Sequence, residues 1–184
     1  LILGGSQGAL VLNQCVPEAL ATLPANTRPD IWHQAGSVAL DAALDAYRRA
    51  GITARVEAFI DDVASAYGWA DLVICRAGAL TVSELAAAGL AAVLVPSPSA
   101  VDDHQTLNAA YLVKAGAAVL LPQPESILLD RIITFYFIAL GQPHRFNRQR
   151  QASPKQLFRA QPPAASHLGQ RAVQQAQALL SIAL

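Results

Sequence analysis

Short apolar runs rich in Val, Ile and Leu alternate along the chain with longer stretches whose apolar positions recur at helical spacing. The runs fall at residues 1–3, 31–34, 55–58, 72–75, 92–95 and 118–121. Helices are expected between them at 9–23, 38–50, 62–68, 81–88 and 104–115, and again from 126. A helix after every strand predicts a parallel sheet covered on both faces, and such strands should be continuously apolar. The expected fold class is therefore α/β: a doubly wound parallel sheet, Rossmann-like. No internal repeat rises above the βα alternation. The most apolar stretch, 127–140, is interrupted by Asp130 and Arg131. Its remainder is far shorter than the ~20 residues of a membrane-spanning helix, so a buried helix is expected there.

With 184 residues, 53% hydrophobic and 14% charged, the chain can bury one sizeable core and is too apolar for a disordered protein. Its 13 basic and 13 acidic residues balance, which gives no electrostatic reason to expect a nucleic-acid partner. Cys15 and Cys75 lie far apart with no metal-knuckle spacing, which argues against a disulfide scaffold and fits a reducing compartment. Charge is unevenly placed: residues 1–130 hold six basic and 13 acidic side chains, and 131–184 hold seven basic and no acidic ones. A basic segment over 144–184, including Arg145, Arg148, Arg150, Lys155 and Arg159, is expected to be a solvated helical face or to approach an anionic surface. No basic start followed by a long apolar run occurs ahead of the first strand, so no signal peptide is expected within these residues. The chain opens at Leu1 and contains no Met, so it is expected to be a fragment cut at or just before that strand.

In a doubly wound sheet ligands bind beyond the carboxyl ends of the strands, and four loops there are unusual. Gly4-Gly5-Ser6-Gln7-Gly8-Ala9 is small enough for backbone to approach a phosphate at a helix start, with the Ser6 hydroxyl as an added donor. It is neither a dinucleotide fingerprint nor a Walker loop, and a plain tight turn is the alternative. In Phe59-Ile60-Asp61-Asp62, Phe59 is placed to cover a flat base and the Ile60 backbone to read its edge; the alternative is a core Phe59, and Asp61 is expected to cap the next helix. Arg76 to Glu84 again joins a small-residue loop to a helix start. Thr81-Val82-Ser83-Glu84 fits a capping box, whereas a ligand reading has Glu84 accept from ribose hydroxyls. Arg76 adds a cation if its side chain turns into the cleft. In Asp102-Asp103-His104-Gln105-Thr106-Leu107-Asn108, Asp103 is expected as an N-cap, and Gln105 and Asn108 share a helix face suited to sugar hydroxyls. No Asp-x-Asp motif and no GxSxG elbow occurs.

Taken together, these segments resemble the donor half of the family 28 GT-B glycosyltransferases that make lipid II for peptidoglycan. The resemblance rests on Gly4 to Ala9 with Leu12-Asn13, Ile31-Trp32-His33-Gln34 with Gly36, Phe59 to Asp62, Cys75-Arg76 with Gly78 to Glu84, and His104-Gln105 with Asn108-Ala109. They stand in family order over about residues 1–122. The resemblance implies inverting, metal-free transfer of N-acetylglucosamine from UDP-GlcNAc to the 4-hydroxyl of a lipid-linked muramoyl-pentapeptide, converting lipid I to lipid II, with no cofactor. Ser6 would contact the diphosphate and Ile60 the uracil. Ala79, Leu80, Thr81, Val82, Ser83 and Glu84 would line sugar, phosphate and ribose, with Glu84 on the ribose hydroxyls and Gln105 on the GlcNAc ring.

The same resemblance implies that residues 1–143 form the UDP-sugar-binding C-terminal domain of a GT-B enzyme and 144–184 a basic helical segment. The acceptor half, with the general base and a membrane-facing patch, is expected on an N-terminal domain missing here, so no catalytic residue is assigned and the fragment should bind donor with little turnover. The implied location is peripheral, on the cytoplasmic side of the plasma membrane. Residues 97–102 and those after 131 match the family poorly. Another UDP-GlcNAc-using GT-B enzyme, or a non-catalytic donor-binding subunit with a membrane partner, are the alternatives.

Overall fold

The computed structural model describes residues 1–5, 9–98 and 103–123. Six strands form one all-parallel sheet: β1 (Ile2–Leu3), β2 (Trp32–Gln34), β3 (Arg55–Glu57), β4 (Leu72–Cys75), β5 (Ala91–Leu94) and β6 (Ala118–Leu120). Five helices connect them: α1 (Leu10–Ala21), α2 (Leu40–Ala50), α3 (Val63–Trp69), α4 (Ala79–Ala88) and α5 (His104–Lys114). A short 3-10 turn, Ala25–Thr27, follows α1 and was not expected from the pattern.

The strand order is β3-β2-β1-β4-β5-β6, so the chain winds outward from β1 in one direction and returns to pair β4 on its other side. The reversal lies between β1 and β4, which is where a doubly wound sheet opens a crevice. Alternate strand residues feed two cores. Ile2, Ile74, Val93 and Val119 face the core that α1 and α2 close with Leu12, Val16, Leu20 and Tyr47. Val73, Cys75, Ala92, Leu94 and Ala118 face the core that α3, α4 and α5 close with Tyr67, Leu85 and Leu112.

The predicted architecture stands, with three local corrections. Strand β2 is fully buried yet carries His33 and Gln34, so burial on both faces did not exclude polar residues. Strand β3 is a sheet edge and correspondingly exposed; Arg55 lies over the Trp32 ring at 3.7 Å and pairs with Glu57 at 2.6 Å. Helix α4 begins two residues earlier than its pattern suggested, at Ala79. The expected helix from 126 and the basic segment 144–184 lie outside the described residues. Among the described residues no helix is long and apolar enough to cross a membrane.

Candidate functional site

Pairing register brings the strand ends level. Leu3 lies opposite Gln34 and Cys75, Gln34 opposite Glu57, Cys75 opposite Leu94, and Leu94 opposite Leu120. The loops singled out in the sequence therefore leave the sheet along one rim. Their mutual placement is fixed by hydrogen bonds among loop residues. The Gly4 N–H donates to the Gln34 carbonyl at 3.0 Å, and the Ile60 N–H donates to Gln34 Oε1 at 3.2 Å. Gln34 thus ties the loop after β1 to the loop after β3 from inside the protein. Gly5 has a φ of +74°, a left-handed conformation that glycine adopts without strain. Ser6 itself lies outside the described residues, together with 7 and 8.

A polar chain lies behind this rim. The Asn13 side chain donates through Nδ2 to the Ala35 carbonyl at 3.0 Å, which leaves its Oδ1 facing His33 Nε2 at 3.0 Å. An amide oxygen only accepts, so Nε2 carries the ring proton and Nδ1 accepts from the Tyr47 hydroxyl at 2.8 Å. Burial drives the His33 pKa down to about 3 and raises that of Tyr47, so the chain is neutral throughout the physiological range. In the sequence, Asn13 and His33 stood only among the segments that carry the family resemblance, and Tyr47 in none of them. The available signal was a His and a Gln inside a strand predicted to be buried on both faces.

Around α4 the structure revises several expectations. Gly78 occupies the N-cap, so Thr81 is three residues inside the helix and no capping box forms. Ser83 instead donates to the Ala79 carbonyl at 2.9 Å, and Glu84 accepts from the Tyr67 hydroxyl at 2.9 Å. Burial, then this bond to Glu84, raises the Tyr67 pKa and keeps it a donor. Ala79 and Leu80 are exposed at the helix start, and the Val82 N–H closes the first helical bond, to the Gly78 carbonyl at 2.9 Å. The N–H groups of residues 79, 80 and 81 thus precede the helical ladder, with no side-chain cap over them. Val82 itself is buried in the core, so its side chain does not line the rim.

Two other expectations change, those for Asp61 and Arg76, and the remaining residues resolve as follows. Asp62, not Asp61, caps α3, accepting from the Ser65 N–H at 2.9 Å and the Ser65 hydroxyl at 2.6 Å; these bonds lower its pKa. Asp103 does stand at the N-cap of α5, but in a left-handed conformation (φ 52°), and its carboxylate accepts from the Thr106 hydroxyl at 2.7 Å. Arg76 does not turn toward a ligand: its guanidinium donates to the carbonyls of Val95 at 3.1 Å and Pro96 at 3.0 Å, and to Gln123 Oε1 at 2.8 Å. Phe59 is 56% exposed and free to present its ring, whereas the Ile60 side chain is buried, so only its backbone can reach the rim. Gln105 accepts from the Ser97 N–H at 2.9 Å, and Asn108 donates to the Ala77 carbonyl at 3.1 Å. Neither cysteine forms a disulfide, and burial pushes Cys75 up to about 12, which makes it inert. Among the described residues no group of three or more His, Cys, Asp or Glu side chains is placed to hold a metal ion.

This rim offers uncapped helix amides, a carboxylate one turn further in, an exposed aromatic ring, and two side-chain amides on α5. That set suits an anionic, hydroxyl-rich nucleotide ligand. Residues 1–134 match the glycosyltransferase family 28 C-terminal domain. A UDP-N-acetylglucosamine–N-acetylmuramyl-(pentapeptide) pyrophosphoryl-undecaprenol N-acetylglucosamine transferase of Nitrosococcus oceani is 64% identical over 125 residues, which is 68% of this chain and 35% of that protein. The identically named protein of Pseudomonas fluorescens strain SBW25 is 58% identical over 147 residues, covering 80% of this chain and 41% of that one. The crystal structure of Acinetobacter baumannii MurG superposes with a TM-score of 0.69 at 39% identity, over 96% of this chain and 51% of that chain. The chain thus spans well under half the length of the curated relatives it matches.

Proposed function

Because the chain belongs to glycosyltransferase family 28, as its C-terminal domain, we propose that it is the donor-binding half of an enzyme that moves N-acetylglucosamine from UDP-GlcNAc to the lipid-linked muramoyl-pentapeptide of peptidoglycan synthesis. The observation that supports this reading is the alignment of strand ends beside the β1/β4 reversal, since the segments carrying the uncapped start of α4, Phe59-Ile60 and Gln105 follow those strand ends. The relatives named above are transferases of this substrate pair, which supports the choice of donor and acceptor.

On this reading the uracil lies near Phe59, with the Ile60 carbonyl as the backbone group left to it, since the Ile60 N–H is engaged by Gln34. Glu84, held by Tyr67, accepts from the ribose hydroxyls. The N–H groups of residues 79–81 face the diphosphate, and Ser6, which lies outside the described residues, is assigned to it on the family resemblance. Cleavage of the bond between sugar and phosphate leaves its electron pair, and the added negative charge, on UDP. Preoriented helix-start amides and the positive ends of helix dipoles stabilise that charge without a metal ion. The acceptor 4-hydroxyl attacks the anomeric carbon from the opposite face, inverting it, and loses its proton to a base on the other half of the enzyme. Association is peripheral, at the cytoplasmic face of the membrane that carries the acceptor.

Titration calorimetry of this chain tests the reading. UDP-GlcNAc should bind, UDP-glucose should bind more weakly, NAD should not bind, and turnover should be negligible until an acceptor-binding half is supplied. Indifference to all three nucleotides would leave a structural domain only.

A further inference from the structure

Among the described residues the buried ones of polar type are Asn13, His33 and Gln34, and all three lie about the end of β2. Two of them form a row of bonds with Tyr47 that runs in one direction. The Tyr47 hydroxyl donates to His33 Nδ1 (2.8 Å), His33 Nε2 to Asn13 Oδ1 (3.0 Å), and Asn13 Nδ2 to the Ala35 carbonyl (3.0 Å). Donors aligned head to tail polarise one another, and this order leaves the imidazole a single tautomer, with its proton on Nε2.

Stability alone does not account for the row. Apolar side chains of like volume in such a place are often as stable as a satisfied polar network. What the row fixes is position. The loop after β1 begins at Gly4, whose N–H donates to the Gln34 carbonyl (3.0 Å). Beyond the loop, in the first turn of α1, Asn13 is held by His33 and itself holds Ala35. Both ends of the loop are thus fastened to residues 33–35, at the end of β2. Helix α1 has no side-chain cap, and the Asn13 N–H closes its first helical bond, to the Ala9 carbonyl (3.0 Å). The N–H groups of residues 10–12 therefore precede the helical ladder, in the same turn that His33 fixes through Asn13.

We propose that His33 is a positioning residue for the diphosphate: held by Tyr47, it orients Asn13 so that the first turn of α1 sits on the end of β2 with its free amides set toward the phosphates. The inference rests on the UDP-sugar reading above and deepens it. His33 and Tyr47 are buried and touch no ligand, yet they set affinity for the diphosphate and not for the uridine.

The test titrates UDP and uridine, followed by amide NMR, into the full chain and into His33→Leu, His33→Gln and Tyr47→Phe. Leucine removes both imidazole bonds, whereas glutamine keeps a donor in the place of Nε2 and loses only the bond to Tyr47. His33→Leu should bind UDP about fivefold or more weakly, the size of one lost hydrogen bond, while uridine moves less than about twofold. His33→Gln should bind UDP within about twofold of the wild type although it melts lower. A merely structural role would instead make UDP affinity follow melting temperature and weaken uridine equally. That pattern, or a His33→Leu variant with wild-type affinity for UDP, would overturn the inference while leaving nucleotide binding standing. Imidazole nitrogen shifts of the wild type at neutral pH give an independent check: the Nε2–H tautomer is expected, and the Nδ1–H tautomer would overturn the inference. If His33→Leu lacks a cooperative melt, Tyr47→Phe decides the matter. It should bind UDP about threefold more weakly with uridine unchanged, and equal losses for both, or none, would count against His33. Absence of any UDP binding by the wild type would instead remove the reading on which the inference rests.

Discussion

Glu84 shows how one residue type served two sequence readings and how a neighbour separated them. Its spacing after Thr81 suited a capping box, but α4 starts at Ala79 and the carboxylate is instead held by Tyr67 from α3. Nothing in the local sequence announces a partner 17 residues upstream; only the packing of α3 beside α4 supplies it. Glu84→Gln keeps the shape and an acceptor for Tyr67 but removes the charge that the proposed function sets against the ribose. It should weaken UDP-GlcNAc binding by roughly tenfold with little change in melting temperature, as calorimetry and thermal unfolding would show. Tyr67→Phe should weaken the donor only a few-fold and lower stability by about 1 kcal/mol, measured by urea unfolding. Gly5 makes a different kind of prediction. A Cβ there would meet no atom within 4 Å, so Gly5→Ala should cost only the strain of its positive φ, about 1 kcal/mol, and not a clash.

At the scale of elements, α4 shares with α1, α2 and α5 a start without a side-chain cap, and is the one of these that follows the central strand β4 with a glycine at the N-cap. Helices of soluble proteins usually place Ser, Thr, Asp or Asn at the N-cap, and α3 does so with Asp62. Helix α4 has Gly78 there, in an extended conformation that any residue adopts, with Thr81 Oγ1 the nearest atom to an added Cβ at 3.8 Å. A capping side chain would therefore fit. Gly78→Asp should raise stability by a few tenths of a kcal/mol in urea unfolding, yet weaken UDP-GlcNAc binding by tenfold or more, because its carboxylate occupies the amides and repels the diphosphate. Gain of stability with loss of binding in one variant would identify the vacant cap as a ligand site. Equal binding by the variant would show that the diphosphate lies elsewhere.

For the whole molecule, the buried chain of Tyr47, His33, Asn13 and the Ala35 carbonyl ties α2, β2 and α1 together. His33 is held near pKa 3 in the folded state against about 6.5 when unfolded, so the unfolded chain takes up a proton first as pH falls. Its contribution to stability is complete above about pH 6.5. The loss begins there and proceeds at about 1.4 kcal/mol per pH unit until the folded pKa is reached. Between pH 6 and 5, before most carboxylates titrate, unfolding free energy should fall with the slope of about one proton. His33→Gln, less stable overall because the imidazole bridge is lost, should flatten that slope. A slope unchanged by the substitution would place the titrating group elsewhere.

The alternation of apolar runs and helical periods was enough to determine the parallel α/β architecture, because strands and helices must each bury a face and that demand is written locally. The small-residue loops at the strand ends were legible for the same reason. Boundaries moved where local chemistry was ambiguous, as at α4, where Ala79 and Leu80 are good helix formers that the loop reading had absorbed. What only the tertiary structure decided is which polar groups are already spoken for. Arg76 reads in sequence as a free cation beside a phosphate loop and is bound by two carbonyls and Gln123; Asp61 reads as the cap that Asp62 provides. A strand's face is set by its own alternation, but a hydrogen-bond partner is set by whichever distant segment the fold brings within 3 Å, and that information is spread over the whole chain.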